Sequence, residues 1–394
     1  MADRYDVVIV GGAVMGSAAA YFLAADAAFD GSIAVIERDP GYGTCTTARS
    51  WGGIRQQFST PENVRMSLYG VSFFRDAAGL LAVDGEAPDL AFRENGYLFL
   101  ASEAGLPVLR ENVARQRGLG AKIDLLSPAD LAARFAWLNT DGLAGAGFGL
   151  ENEGWIDPNA LLHGFRRKAC ALGVAYLEDE VVGVETAKGR VTGVRLRGGG
   201  KLLCGTLINA AGPRAGALAA LAGVALPVVP RKRTTFVFDC KEKIADMPLT
   251  IDASGVAVRP EGAQYIAIVA PPEAEDRDSD TADMEPDYAP FEEVIWPALA
   301  HRIPAFEAVK LTGAWAGHYD YNAFDQNGIL GPHPDLANFL LCNGFSGHGL
   351  QQAPAAGRAI AELIAYGEFR SLDLANLSYA RISEGRPIKE TNVV

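Results

Sequence analysis

Six side chains in the sequence could hold a small anionic substrate. Arginine binds carboxylates through paired N–H donors, and histidine and tyrosine can share or move a proton in an active centre. Taken one at a time, each such residue is more often structural than functional. The candidates for a substrate site are Arg55, Arg233, Arg259, His318, Tyr321 and His348.

The sequence shows no pattern typical of a metal centre or of a side-chain nucleophile. The five cysteines, at positions 45, 170, 204, 240 and 342, are far apart and form no Cys/His spacing of a zinc site. No Ser/His/Asp arrangement and no pair of catalytic carboxylates stands out. We therefore expect no bound metal and look to an organic cofactor for the chemistry.

The strongest pattern is a glycine-rich turn between a strand and a helix. VVIVGGAVMGSAAAYFL, residues 7–23, matches the template GxGxxG from Gly11 to Gly16, with Ala13 where the middle glycine normally stands. Such a turn brings a pyrophosphate close to a helix N-terminus. Glu37 ends the next apolar run, 21 residues after Gly16, where a carboxylate accepts from ribose hydroxyls and repels a 2′-phosphate. The pattern predicts FAD or NAD rather than NADP.

Three further segments could line the path of a long cofactor. CTTARSWGGIRQQF, residues 45–58, combines small and hydroxyl-bearing residues with two arginines, which suits a phosphate passage. LINAAGPRAGALA, residues 207–219, joins a short strand to a helix through Gly212. GFSGHGLQQAP, residues 344–354, puts glycines at a helix start, where unpaired N–H groups favour the negative charge of a reduced flavin. Singly, the first two of these segments are weak evidence.

Elements around these motifs predict an α/β protein with a second, β-rich part. Strand, helix and strand are expected at 5–10, 14–28 and 33–36, and a similar alternation returns at 158–209 and 339–366. The β-rich runs at 97–100, 234–238, 256–258 and 265–269 read as an antiparallel sheet. The acidic stretch 272–287 is expected to be a surface loop. We predict a nucleotide-binding domain from residues 1–85, 151–225 and 325–394, and a substrate domain from 86–150 and 226–324.

Composition limits the partners of this 394-residue chain. With 35 basic and 48 acidic residues, the net charge is −13, which disfavours nucleic acid. The longest apolar stretch, residues 217–229, is broken by Gly223 and Pro227 and is too short to span a membrane. The N-terminus does not have the basic and then apolar layout of a signal peptide. We expect a soluble, cytoplasmic protein whose oligomeric state the sequence leaves open.

The four cofactor-type segments, in this order, resemble the D-amino-acid oxidase superfamily of FAD-dependent oxidoreductases. The branch is that of sarcosine oxidase, glycine oxidase and dimethylglycine dehydrogenase, and the resemblance spans nearly the whole chain. SWGGIRQQFS, EGWIDPNALL, PRKR and CNGFSGHGLQQAPA look closer still to a sub-branch that includes a mitochondrial flavoprotein of complex I assembly. The resemblance implies a Rossmann-like FAD-binding domain of the glutathione-reductase type, with an inserted antiparallel β-sheet substrate domain.

The resemblance also implies which residues hold FAD. The turn and Glu37 would bind the ADP half, residues 48–53 would line the route to the flavin ring, and Val181 would contact the adenine side. Arg55 matches a family arginine beside the ring. The expected cofactor-binding residues are Gly11, Gly12, Ala13, Val14, Met15, Gly16, Glu37, Arg38, Ala48, Arg49, Ser50, Trp51, Gly52, Gly53, Val181, Ala211, Gly212, Gly344, Phe345, Ser346, Gly347, His348, Gly349, Leu350 and Gln351.

Four departures from the resembled enzymes bear on function. No cysteine lies in GHYDYNAF, residues 317–324, where sarcosine oxidases attach flavin, so FAD is expected to be non-covalent. Gln351 replaces a lysine that helps to hold the substrate carboxylate, and Tyr319 stands where glycine oxidase has an arginine. The lysine that promotes oxygen reduction is absent near residues 266–268.

The expected activity is oxidation of a secondary amino acid such as sarcosine or an iminodiacetate-like compound. Hydride would pass from the carbon next to nitrogen to flavin N5, imine hydrolysis would follow, and O2 would reoxidise the flavin. Two alternatives stay open: a non-catalytic, assembly-type flavoprotein, and an amine dehydrogenase that passes electrons to a quinone or an electron-transfer flavoprotein.

Overall fold

The computed structural model describes residues 3–149 and 151–390. Residues 1, 2, 150 and 391–394 of the predicted domain ranges lie outside it. The helices in the described residues are α1 (Val14–Ala24), α2 (Pro61–Leu80), α3 (Leu106–Gly118), α4 (Pro128–Arg134), α5 (Pro158–Ala171), α6 (Ala215–Leu221), α7 (Trp296–Arg302), α8 (Gly349–Tyr366) and α9 (Ala380–Ser383). None of the helices in this part of the chain is long and apolar enough to cross a membrane.

Two large sheets organise the described residues. The strands are β1 (Arg4–Val10), β2 (Ile33–Glu37), β3 (Gly53–Ile54), β4 (Tyr97–Ala101), β5 (Ile123–Leu126), β6 (Gly145–Gly149), β7 (Gly154–Trp155), β8 (Ala175–Glu178), β9 (Val181–Ala187), β10 (Arg190–Leu196), β11 (Lys201–Asn209), β12 (Val228–Cys240), β13 (Leu249–Ile251), β14 (Ala257–Glu261), β15 (Gln264–Ile268), β16 (Val309–Asn322), β17 (Ile329–His333) and β18 (Leu336–Asn343).

The first sheet has a parallel centre in the order β18-β11-β1-β2-β8, with β17 antiparallel at one edge and the β9–β10 ribbon added to β11. Alternate residues of β1 face opposite cores. Val7 and Ile9 pack against α1, α5 and α8, whereas Val8 and Val10 face α6. Because both faces are covered, the strands are nearly continuous runs of apolar residues.

Helices α1 and α8 pack unusually closely beside this sheet. A Cβ at Gly357 would lie 2.7 Å from the backbone carbon of Ala18, so a larger residue there would push the helices apart. The predicted helix 14–28 stops earlier, at Ala24. Asp26 then accepts from the Ala28 amide at 3.0 Å, which stabilises a turn in place of further helix. Helix α8 runs for 18 residues, longer than the four turns expected, and ends at left-handed Gly367.

The second sheet has the order β16-β12-β15-β14-β13-β4-β6-β5. Its strands come from residues 86–150 and 226–324, and those of the first sheet from the other three ranges, which supports the domain division as a prediction. One pair departs from the antiparallel pattern, since β4 and β13 run parallel, with Tyr97 opposite Leu249. These two strands meet through a long connection rather than a hairpin, and such a connection permits either direction.

Residues 272–287 form the predicted surface loop, without a helix or strand. We call residues 272–287 the acidic strap. Ion pairs hold it against β12, because three basic residues of that strand pair with its carboxylates. The pairs are Arg231 with Asp278 at 3.2 Å, Lys232 with Asp283 at 2.6 Å, and Arg233 with Asp276 at 2.7 Å. The strap is therefore fastened along β12.

Candidate active site

A cavity of about 430 Å³ lies where the two sheets meet. One end is formed by the carboxyl ends of β1, β2, β8 and β11, which is where open α/β sheets bind nucleotides. The other end is walled by one face of the second sheet. The cavity therefore has two parts: a nucleotide-type crevice at the first sheet, and a chamber bounded by the second sheet.

The glycine-rich turn after β1 has the close approaches that its spacing predicted. Gly11 has φ +98°, and a Cβ there would lie 2.3 Å from the Ala210 carbonyl oxygen. A Cβ on Gly16 would lie 1.8 Å from the Gly11 carbonyl oxygen. Ala13 has φ −69°, which suits any L-residue, so the departure from glycine costs nothing in backbone strain. The N-cap residue Ala13 supplies no side-chain cap, the Val14 amide donates weakly to Thr47 Oγ1 at 3.4 Å, and this end of α1 borders the cavity.

Glu37, predicted to bind the ribose, lines the nucleotide end of the cavity. Its Oε2 accepts from the Gly12 amide at 2.7 Å and its Oε1 from the Asp39 amide at 2.8 Å, so the carboxylate is fixed at the cavity edge. Arg38 and Val181 also line this end. Arg214, which the sequence analysis did not select, lines it as well, and its buried Nε has no partner among the described residues.

The segment 45–58 after β2 runs along the cavity, as expected. The Arg49 guanidinium, however, holds neighbouring backbone in place. Its guanidinium donates to the Gly43 carbonyl at 2.9 Å and weakly to Ala316 on β16. Trp51 donates from Nε1 to Thr235 Oγ1 at 2.9 Å, which ties the segment to β12. Gly52 is needed for packing, since a Cβ would lie 2.0 Å from the Ile156 carbonyl oxygen.

The loop before α8 is shaped by a buried carboxylate of β16. Asp320 Oδ2 accepts from the amides of Gly344 and Phe345 at 2.8 and 3.1 Å, and Asn322 donates its amide to Ser346 Oγ. Burial raises the pKa of Asp320 to about 6 despite these bonds. Residues 347–351 then line the cavity at the N-terminus of α8, which no side chain caps.

His348 and Arg55 lie together at the inner end. Burial, and then the Arg55 charge, lower the pKa of His348, so the imidazole is neutral at pH 7. Its Nε2 is buried without a partner in the described chain. The Arg55 guanidinium lies 4.2 Å from the ring centre of Phe58. The backbone amide of Arg55 donates to Gln351 Oε1 at 2.8 Å. A neutral hydrogen-bonding group thus adjoins a fixed positive charge.

Glu153, from the EGWIDP motif, is buried behind Arg55. Its Oε1 accepts from the Gln56 amide at 2.5 Å and its Oε2 from Gln57 Nε2 at 2.7 Å. Burial raises the pKa of Glu153 to about 7, while these donors and Arg55 oppose the rise. This carboxyl therefore changes charge near neutral pH.

Six adjacent strands of the second sheet contribute the chamber wall. Their contributions are Trp315, Gly317 and Tyr319 from β16, Arg233 and Thr235 from β12, Ile268 from β15, Ala257 from β14, Leu249 from β13 and Tyr97 from β4. Alternate residues such as Phe236 and Ala267 face the opposite core. The wall mixes apolar side chains with two phenols and one guanidinium.

Of the six substrate-site candidates, the cavity brings together Arg55, Arg233, His318 and His348. Arg259 lies outside its lining and donates to the carbonyl oxygens of Trp51 at 2.8 Å and Pro260 at 2.7 Å. Tyr321 also lies outside, beneath Arg231 at 5.1 Å from the ring centre. Neither side chain belongs to the cavity lining.

Most predicted cofactor residues line the same cavity. Those outside its lining, Gly12, Gly16, Ala48, Gly52, Gly344 and Ser346, belong to the turns that shape it. Sequence reasoning missed most of the chamber wall, including Tyr97, Thr235, Leu249, Ala257 and Trp315. Strand alternation was the one signal available for them, and it does not say which face meets the other sheet.

The residues present fit FAD. The Gly11 turn and the start of α1 line the cavity where a pyrophosphate would bind, and Glu37 at the cavity edge would accept from ribose hydroxyls. Buried nitrogens without partners in the described chain, on Arg214, His318 and His348, lie along the lining and offer hydrogen bonds to a long polar molecule. Among the described residues, no cluster suited to a metal ion occurs.

Comparison with known proteins agrees with this geometry. The model of the family of FAD dependent oxidoreductases, DAO, matches residues 6–363. The chain is 44% identical to "FAD-dependent oxidoreductase domain-containing protein 1" of Xenopus laevis, over 100% of this chain and 85% of that protein. Its fold is similar to that of L-proline dehydrogenase from P. horikoshii, with TM-score 0.85, 25% identity and coverage of 98% and 100%. Glycine oxidase from Geobacillus kaustophilus gives TM-score 0.80, 22% identity and coverage of 96% and 98%.

Fold and cavity therefore define an FAD-dependent oxidoreductase. The chain belongs to the DAO family, and the resemblance inferred from its motifs is confirmed.

Proposed function

We propose that this protein oxidises a secondary amino acid at the carbon next to nitrogen. The observation that carries the proposal is the chamber of phenol, guanidinium and apolar groups that continues directly from the flavin-type crevice. The names of two proteins with similar folds, L-proline dehydrogenase and glycine oxidase, support an amino-acid substrate.

Residues at both ends of the cavity would hold non-covalent FAD. The α1 turn and Glu37 would take the ADP half, and residues 347–351 would take the ring. Bound FAD supplies a two-electron oxidant for the carbon–hydrogen bond next to the substrate nitrogen, and hydrolysis of the resulting imine releases the product. No cysteine lies in residues 317–324, the stretch near which the resembled sarcosine oxidases attach flavin, and this supports dissociable FAD.

The N-terminus of α8 would stabilise negative charge at the ring. Its first amides are uncapped by side chains, no acidic residue lies in its first turn, and Gly347, His348 and Gly349 border the cavity. The partial positive charge of a helix N-terminus is fixed in place before reaction, so it requires no reorganisation. The neutral His348 imidazole would add a hydrogen bond without adding charge.

The chamber wall would orient the substrate and exclude water. Trp51, Leu249 and Ile268 give an apolar surface, and the Tyr97 and Tyr319 phenols are deeply buried, which raises the pKa of both. A phenol that stays protonated at pH 7 can donate a hydrogen bond to an amine or a carboxylate. Holding the reacting carbon in one geometry is the main contribution that the protein makes.

One observation favours a dehydrogenase over an oxidase. Within the described chain, the cavity lining contains Ile268 near the family's oxygen-activating lysine position and contains no lysine at all. A turnover assay with N-methyl amino acids and L-proline, run once with O2 and once with an artificial electron acceptor, tests both points. Carbonyl product with either acceptor supports amine oxidation, and product with the artificial acceptor alone identifies a dehydrogenase. No product with either acceptor, from fully FAD-loaded protein, overturns the proposal.

A further inference from the structure

The side chain of Arg233 uses only part of its hydrogen-bonding capacity within the described chain. It projects from β12 into the cavity lining, and only 7% of it is exposed. Of its five N–H donors, Nη1 uses two, to the Lys232 carbonyl at 3.0 Å and to Asp276 Oδ1 at 2.7 Å. Nη2 uses one, to Asp276 Oδ2 at 2.7 Å. The remaining two donors have no partner among the described residues.

Those two donors form one edge of the guanidinium. Nη2 is the terminal nitrogen on the same side as the Nε hydrogen, so the second N–H of Nη2 and the N–H of Nε point in parallel. A carboxylate binds such a fork with two hydrogen bonds. Leaving a buried N–H without an acceptor is costly, and native proteins rarely do so unless a ligand or water completes the site.

The surroundings of this edge suit a carboxylate. The guanidinium carbon lies 5.3 Å from the ring centre of Tyr319, which lines the cavity. The charges of Arg233 and Arg55 both oppose the rise that burial causes in the pKa of Tyr319. Thr235, two residues along β12, borders the same chamber. Tyr319 stands where glycine oxidase has an arginine, so an adjacent guanidinium supplies the charge that this position lacks.

We propose that the Nε–Nη2 edge of Arg233 binds the substrate carboxylate, while Asp276 of the acidic strap holds the opposite edge of the same guanidinium. This assignment rests on the proposed function and narrows it to one substrate class. Leu249, Ala257 and Ile268 across the chamber are apolar. The substrate is therefore a secondary amino acid whose carboxylate lies at Arg233 and whose small apolar remainder lies against these side chains.

Asp276 has two opposing effects on such a substrate. It fixes the guanidinium plane through a bidentate pair, so the Nε–Nη2 edge is already oriented before the carboxylate binds. Its negative charge also lies close to the incoming carboxylate and weakens its binding. Asp276→Asn keeps an oxygen acceptor for Nη1 and removes the charge. Carboxylate affinity should rise at least tenfold in this variant.

The strap offers a matched control. Asp278 makes a single, more exposed contact with Arg231 at 3.2 Å, and Arg231 does not line the cavity. Asp278→Asn therefore loosens the strap without changing the charge at the proposed subsite. Its effect on carboxylate affinity should be less than twofold.

The experiment is a titration of the FAD-loaded protein with acetate and propionate, followed by perturbation of the visible flavin spectrum. Neither ligand can be oxidised as an amine, so the readout is independent of turnover. Acetate should bind the wild type, bind Asp276→Asn at least tenfold more tightly and bind Arg233→Gln at least tenfold more weakly. Equal binding in Arg233→Gln and wild type, no binding to wild type, or unchanged or weaker binding in Asp276→Asn would overturn the inference.

Arg233→Gln leaves Asp276 with only the longer contact to Arg231 Nη1 at 4.0 Å among the described residues, and it could unfold the strap. The double variant Arg233→Gln/Asp276→Asn removes both charges together. If the single variant loses FAD, acetate binding by the double variant is compared with wild type instead. It should retain FAD and still fail to bind acetate, and acetate binding at wild-type strength would overturn the inference. Carboxylate binding through Arg233 without reduction by any amino acid would contradict the proposed function and leave this inference intact.

Discussion

The backbone amide of Arg55 donates to the side-chain Oε1 of Gln351 at 2.8 Å, across 296 residues of sequence. Arg55 follows the segment that leaves β2, and Gln351 is in the first turn of α8. This buried bond joins the two parts of the chain that would embrace the flavin ring. The residue that replaces the family's lysine therefore has a structural partner of its own.

Gln351→Ala should destabilise the protein. The Arg55 amide loses its buried acceptor, which costs about 1–3 kcal/mol. The free energy of unfolding, measured with denaturant, checks this. Gln264→Ala is the control, because its side-chain bond to Thr312 is exposed. If both variants lose the same small amount, the Arg55–Gln351 bond does not have the role assigned to it.

Gly16→Ala and Ala13→Gly test the glycine-rich turn in opposite directions. A methyl group on residue 16 would collide with the Gly11 carbonyl oxygen, so this variant should be purified without FAD or fail to fold. Ala13 already has an ordinary negative φ, so Ala13→Gly should change the FAD dissociation constant by less than about threefold. FAD retained by Gly16→Ala at wild-type stoichiometry would contradict this reading of the turn.

Glu37→Gln tests the ribose position. Replacing a charged acceptor with a neutral amide should weaken FAD binding by about 10- to 100-fold, as expected for a lost charge-assisted hydrogen bond. Fluorescence of released flavin gives the dissociation constant. Glu178→Gln is a close control, since Glu178 lies opposite Glu37 in the β2–β8 register but outside the cavity lining. Equal effects of the two changes would mean that Glu37 makes no special contact with FAD.

Glu153 should make stability depend on pH near neutrality. Its pKa in the folded protein is about 7, above the usual 4.5, so the folded protein holds a proton that the unfolded chain releases. This contribution is fully present below pH 4.5 and is lost as the pH rises through 7, by about 1.4 kcal/mol per pH unit within that window.

The comparison of Glu153→Gln with wild type isolates this contribution. The difference between their free energies of unfolding should change between pH 5 and pH 8, with wild type gaining relative stability at pH 5. Glu151→Gln, at an exposed ion pair with Lys122, should show no such change. A difference that stays constant with pH in the Glu153 variant would show that the carboxyl titrates at its ordinary pKa.

Sequence alone predicted the nucleotide end of the cavity because its contacts are local. Gly11, Gly16 and Glu37 lie within one strand–helix–strand unit, where spacing fixes the geometry. The loop before α8 was predictable from its glycines at a helix start, but the Asp320 contacts from β16 that shape it were not. Membership of the DAO family and the α/β fold, with FAD as cofactor, are confirmed by the comparisons.

The chamber wall was not predictable, because it depends on how distant strands align. Leu249 and Tyr97 meet only because β13 and β4 pair across more than a hundred residues. Arg259 and Arg233 look alike in sequence. Arg259 donates to the Trp51 carbonyl oxygen, whereas Arg233 lines the cavity. The pairing of Arg233 with Asp276 requires the fold of an acidic loop that carries no recognisable motif.

Anaerobic reduction of the bound flavin tests the central claim most directly. Sarcosine, N-methyl-L-alanine and L-proline are added in turn to FAD-loaded protein without oxygen, and the visible flavin absorption is followed. The account predicts that at least one of these monocarboxylate secondary amines bleaches the flavin, with one equivalent of imine or carbonyl product formed per flavin. Flavin that stays oxidised with all three, yet is fully reduced by dithionite, would contradict it.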